Sequence, residues 1–116
     1  MRVLLSATAL TVLLTAGCGS ELPTINPADV ITYDSLGSRA DIDCENGKSL
    51  VIGGSNNTLN VRGTCLSVRV EGADNRITVM RIDAELAVDG VNNTVSYAEG
   101  DPRVTDTGTG NRISRS

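Results

Sequence analysis

The chain has 116 residues, and its 10 Lys and Arg against 14 Asp and Glu give a net charge of −4. This length suits one small domain, and the negative charge argues against a nucleic-acid partner. The sequence contains no His, which excludes catalysis by His and metal sites built on His. Its 12 Gly, together with many Asn, Asp, Thr and Val, favour strands and turns over helices.

The first predicted element is a signal peptide over residues 1–17. Residues 3–16 are apolar or small and follow a single cation, Arg2; at about 14 residues the segment is shorter than a membrane-spanning helix. Residues 14–18 read Leu-Thr-Ala-Gly-Cys and resemble a bacterial lipobox, in which Cys18 is lipidated and becomes the first mature residue. Acyl chains such as palmitate would then anchor an exported protein on the extracytoplasmic side of the cell membrane. The alternative is ordinary secretion without lipid on Cys18.

The second predicted segment, residues 18–39, joins this cysteine to the domain. Residues 19–24 are small, polar and interrupted by Pro23, which is typical of a tether. Asn26 can serve as N-cap, Pro27 fits the first helical position and Gly37 fits a helix end, so a short capping helix is predicted over about residues 27–36. An extended tether is the alternative, and the domain itself is predicted for residues 40–116.

An exact 18-residue repeat begins near Leu50. Apolar residues alternate with polar ones on both sides of a recurring Gly-x-x-Asn turn, which indicates strands with one buried face. The repeated turn residues are Gly54, Gly72, Gly90 and Gly108, and Asn57, Asn75, Asn93 and Asn111.

Two all-β architectures fit this pattern, a parallel β-solenoid (β-helix) with 18-residue coils and an antiparallel meander. Identical columns favour the solenoid, because equivalent residues then lie directly above one another. Stacked Asn side chains are expected to form a hydrogen-bonded ladder, with the interior Asn75 and Asn93 contributing more than Asn57 and Asn111 at its ends. A Gly in every copy is expected to supply positive φ at a corner.

The chain has three cysteines, an awkward number for an exported protein. If Cys18 carries lipid, Cys44 and Cys65 remain and can pair in an oxidising compartment. A bridge there would staple the first coil, whereas the alternative is two free thiols.

The sequence resembles actinobacterial proteins that contain the domain of unknown function 3060. The resemblance covers about residues 40–113, including the valine-rich Gly-x-x-Asn repeats, and the lipoprotein-type leader is similar as well. Four short motifs within this range are also shared. They are Ile42-Asp43-Cys44, Gly63-Thr64-Cys65, Gly100-Asp101-Pro102 and Gly108-Thr109-Gly110-Asn111. The resemblance implies the fold and an exported location, and it implies no activity, catalytic residue or ligand.

The expected function is that of a non-enzymatic, membrane-anchored envelope lipoprotein, which binds a cell-wall polymer or another envelope protein along one sheet and needs no cofactor or metal. One alternative is a carbohydrate-active enzyme of β-helix type, and another is a calcium-binding repeat protein. The candidate catalytic group is Asp83, Glu85, Asp101 and Arg103. The candidate calcium column is Asn56, Asp74, Asn92 and Gly110. A column for binding a flat crystal surface, such as ice, would be Thr58, Arg76, Thr94 and Arg112, but its bulky cations spoil the flatness.

Overall fold

The computed structural model describes residues 29–116, so the predicted signal peptide, Cys18 and the tether up to residue 28 lie outside the described residues. All strand pairs in the described part are parallel. The strands are β1 (Val30–Leu36), β2 (Arg39–Ser55), β3 (Thr58–Val70), β4 (Arg76–Val88), β5 (Thr94–Glu99), β6 (Arg103–Asp106) and β7 (Arg112–Arg115).

The strand register shows how the chain winds. Leu59 lies beside Ile77, Ile77 beside Val95, and Val95 beside Ile113, so each residue pairs with the one 18 positions later. A meander would make antiparallel pairs instead. The parallel register therefore confirms the predicted β-solenoid, with about five turns of about 18 residues.

The pairing of β3 with β4 divides into three ladders, which are separated by irregularities in the register after Val61 and after Cys65. We call the ladders face A (58–62 and the equivalent residues 39–43, 76–80, 94–98 and 112–116), face B (64–65 and 81–82) and face C (67–70 and 85–88). The Gly-x-x-Asn turn then leads from face C to face A of the next coil.

Alternate side chains of each ladder point inward and fill a narrow core. Apart from the turn residues Asn57, Asn75 and Asn93, the fully buried residues are aliphatic or cysteine, and burial of their apolar surface is the main favourable term in folding. They include Leu50, Ile52, Leu59, Val61, Val68, Val70, Ile77, Val79, Ile82, Leu86, Val88 and Val95.

The predicted capping helix over residues 27–36 is wrong, because Val30–Leu36 is a strand that pairs with residues 49–55 of β2. Ile31 lies beside Leu50 and Tyr33 beside Ile52, and both cover the core end. The alternating β-branched and aromatic side chains outweigh the capping signals, since a strand buries Ile31 and Tyr33 on one face. The described part of the solenoid thus begins at Val30, within the segment 18–39 that the sequence analysis assigned to the tether and the capping helix.

The predicted pairing of Cys44 with Cys65 is present as a disulfide. Both cysteines are fully buried, and the bridge joins the second coil to the third across a local irregularity in the β2–β3 register. With a sequence separation of 21 residues, the chain-entropy argument gives roughly 3 kcal/mol of stabilisation.

Candidate functional site

The turn glycines are required by close backbone stacking. A Cβ on Gly90 would lie 1.8 Å from the Gly72 carbonyl oxygen and 2.6 Å from the Asn93 side-chain nitrogen, and Gly72 and Gly108 are equally crowded. Among the four turn glycines only Gly54 has positive φ, so the expectation that every copy uses Gly for positive φ is wrong.

Positive φ falls instead on the third residue of each turn. The residues in this column are Gly37, Asn56, Asp74, Asn92 and Gly110, with φ between 56° and 70°. Gly, Asn and Asp are the residue types that tolerate this left-handed conformation at least cost. The column proposed for calcium is therefore explained by its backbone conformation. Within residues 29–116 no three His, Cys, Asp or Glu side chains are grouped to bind a metal ion.

The asparagines form the predicted ladder, but mainly through bonds from side chain to backbone. The Asn93 Oδ1 accepts a hydrogen bond from the Asn75 backbone N–H at 3.0 Å, and the Asn93 Nδ2 donates to the Gly72 carbonyl at 2.9 Å. Asn75 holds the preceding coil in the same way. Each Asn thus satisfies two backbone groups of the coil before it, across the glycine that has no Cβ to block the path.

The ladder has one more rung than the sequence predicts. The Asn57 Oδ1 accepts a bond from the Ser38 backbone N–H at 3.0 Å, and its Nδ2 donates to the Ser35 carbonyl at 2.7 Å. Ser35 and Ser38 occupy the Gly and Asn columns of an earlier, divergent turn. Asn57 is therefore an interior residue rather than the end of the ladder, and it is only 1% exposed.

We expect Asn57→Ala, Asn75→Ala and Asn93→Ala each to lower the free energy of unfolding by about 2 kcal/mol, because each removes a buried side chain that bonds two backbone groups of the preceding coil. Asn111→Ala should cost about half as much, because Asn111 is partly exposed and water can replace its side chain. Chemical denaturation of the four variants measures this difference. A small effect at Asn57, matching that at Asn111, would contradict the additional rung.

The candidate catalytic residues lie on the surface, and two of them, Asp83 and Asp101, form ion pairs with arginines. Glu85 and Arg103 share a register position, as predicted. Asp83, however, accepts a hydrogen bond from Arg81 at 2.8 Å, and this bond raises the pKa of the Arg81 guanidinium. Asp101 is bonded to Arg115 at 3.0 Å and is 95% exposed. Both carboxylates are thus exposed to solvent and bound by arginines.

Face A carries the column that includes Thr58, Arg76, Thr94 and Arg112, and the structure extends it to Arg39. Its arginines are exposed and stand on alternate coils. The sequence missed Arg39 because the first complete coil is one residue longer, so that Arg39 pairs with Thr58 at a spacing of 19.

The repeat architecture has a counterpart among known protein families. A family model for proteins of unknown function (DUF3060) matches residues 52–110, half of the chain. The chain belongs to the DUF3060 family. The family predicted from the sequence is therefore confirmed, and the match spans the turns at Gly54, Gly72 and Gly90 and reaches the third residue of the turn at Gly108.

No curated protein and no solved structure matches this DUF3060 chain significantly. In residues 29–116 there is no helix long and apolar enough to cross a membrane. The functional assignment therefore rests on the chemistry of the solenoid surface and on the N-terminal sequence.

Proposed function

We propose that this DUF3060 protein is a non-enzymatic lipoprotein of the cell envelope, which displays its solenoid as a binding module for envelope components. The observation that supports this most directly is the regular outer surface of face A. Its outward columns repeat from coil to coil, whereas the candidate catalytic carboxylates Asp83 and Asp101 are engaged by arginines. A surface that repeats along an axis is better suited to binding an extended partner than to forming a single reaction centre.

Two observations support lipid attachment at Cys18. Residues 14–18 resemble a lipobox, and the other two cysteines of the chain are joined to each other. Cys18 is thus the unpaired cysteine of a protein whose disulfide suits an oxidising compartment. The first described strand begins at Val30, 12 residues after Cys18.

We expect mass spectrometry of the membrane fraction to find the mature chain beginning at an acylated Cys18. Cys18→Ala should abolish the lipid and move the protein out of the membrane fraction, while the Cys44–Cys65 disulfide stays intact. Recovery of the native sequence as a water-soluble chain with an unmodified Cys18 would contradict the lipoprotein assignment.

A further inference from the structure

Face A carries a straight row of arginines that follows the solenoid axis. Arg39, Arg76 and Arg112 occupy one column, with Thr58 and Thr94 on the coils between them. Neighbouring strands of a sheet lie about 4.8 Å apart, so successive arginines are roughly 10 Å apart and the row spans roughly 19 Å. The cations therefore recur at a constant interval along one direction.

These three arginines have no acidic partner among residues 29–116. Two arginines of the other faces are paired, since Arg69 lies 2.7 Å from Asp89 and Arg81 lies 2.8 Å from Asp83. Across the face A segments 58–62, 76–80, 94–98 and 112–116 there is no Asp or Glu, and the acidic residues of face A, Asp41 and Asp43, are confined to its first segment, 39–43. A protein of net charge −4 thus carries a row of three unpaired arginines along one side of its described part.

The arginine row is bordered by a column of hydrogen-bonding side chains on the same face. The column consists of Asp41, Asn60, Thr78, Ser96 and Ser114. Apart from the carboxylate of Asp41 at one end, these are hydroxyl and amide groups, which both donate and accept hydrogen bonds, as sugar hydroxyls do. Face A therefore offers cations at a fixed interval beside hydroxyl and amide groups on four successive coils, and these groups can form hydrogen bonds with the hydroxyl groups of a polysaccharide.

We infer that face A binds an acidic polysaccharide, laid along the solenoid axis with its carboxylate or phosphate groups against Arg39, Arg76 and Arg112. A guanidinium binds either anion through two parallel hydrogen bonds, which favours arginine at such positions. A single-stranded nucleic acid fits less well, because the chain has only two Tyr and no Trp or Phe to stack on bases. The inference deepens the proposed binding role and rests on it for the identity of the partner as an envelope component.

The test uses the full chain, purified in detergent, and four immobilised probes. Polyglucuronate and dextran phosphate supply the two anions, unmodified dextran is the neutral match, and an oligo-dT strand represents nucleic acid. We expect binding to one or both acidic polymers, weakening as salt screens the charges, and none to dextran. Comparison of polyglucuronate with dextran phosphate identifies the preferred anion.

The double variant Arg76→Gln, Arg112→Gln should weaken that binding about tenfold. Its matched control is Arg69→Gln, Arg81→Gln, which removes the same charge from faces C and B and should leave binding within about twofold. The side chains of Arg76 and Arg112 form no ion pair within residues 29–116, so we expect thermal melts to show that the first double variant is folded.

Four results would overturn the inference: equal losses in both double variants, equal binding to dextran, tighter binding to oligo-dT, or no binding to either acidic polymer. Acylation of Cys18 is measured independently on membranes. Failure of polymer binding with an acylated Cys18 would therefore remove this inference and leave the proposed envelope location standing.

Discussion

Gly90→Ala is expected to lower the free energy of unfolding by about 3 kcal/mol or more, because the added methyl group meets backbone rather than a flexible side chain. The new Cβ would lie 1.8 Å from the Gly72 carbonyl oxygen, a distance that forces neighbouring coils apart. It would also meet the Asn93 side-chain nitrogen at 2.6 Å, on the path of its bond to that same carbonyl. Steric strain and a lost ladder bond therefore act together at this position.

Gly53→Ala is the matched control. A Cβ on Gly53 would approach the Asp34 carboxyl group no closer than 3.5 Å, which is an ordinary contact. Alanine within a strand also loses less backbone entropy than glycine on folding, so this variant should be neutral or slightly stabilising, within about 1 kcal/mol. Denaturant unfolding of both variants with the disulfide intact gives the comparison. Equal stabilities would show that neighbouring coils can separate at the turn without cost.

The repeated part of the fold could be predicted from the sequence because a solenoid places equal sequence spacing at equal positions in space. Asn57, Asn75 and Asn93 are 18 residues apart and lie in one buried column. The disulfide followed from the number of cysteines and the export signal, without any knowledge of the register. In these coils the 18-residue sequence repeat equals the length of one turn of the solenoid, and this agreement made the prediction possible.

The first turn could not be recognised because it departs from the repeat in both spacing and composition. Ser35 and Ser38 replace Gly and Asn, and the coil that follows has 19 residues. Two signals were nevertheless present: Gly37 stands in the positive-φ column, and Ile31 and Tyr33 match Leu50 and Ile52 at a spacing of 19. The prediction of a helix start at Asn26 and Pro27 gave these two signals too little weight.

For the candidate sites, the sequence predicted which residues share a column but did not predict which side chains form ion pairs. The sequence placed Glu85 with Arg103 and Arg76 with Arg112 in their columns, because columns depend only on the repeat. It gave no sign that Arg81 would engage Asp83 on its own strand, or that the Arg76 side chain would have no acidic partner among residues 29–116. Ion pairs depend on side-chain direction and on the lengths of neighbouring loops, which the repeat does not specify.

Removal of β1 is expected to have a still larger effect on stability than Gly90→Ala. A chain beginning at residue 39 loses Ile31 and Tyr33, which cover Leu50 and Ile52 at the end of the core. It also leaves Asn57 without its bonds to Ser35 and Ser38. Exposing two large apolar groups and one buried amide should cost about 4 kcal/mol or more, a large part of the 5–15 kcal/mol typical of a whole domain.

A chain beginning at residue 29 is the control, because it keeps every described contact of the solenoid and differs only by the segment 29–38. We expect it to unfold in one transition at the same denaturant concentration as the mature protein. The shorter chain should unfold at a much lower concentration, or should bind a hydrophobic dye before it unfolds, because its core end is open to water. Equal midpoints for the two chains would show that β1 packs on the solenoid without contributing to its cooperative unit. The sequence boundary at residue 40 would then describe the stable domain better than the strand at Val30 does.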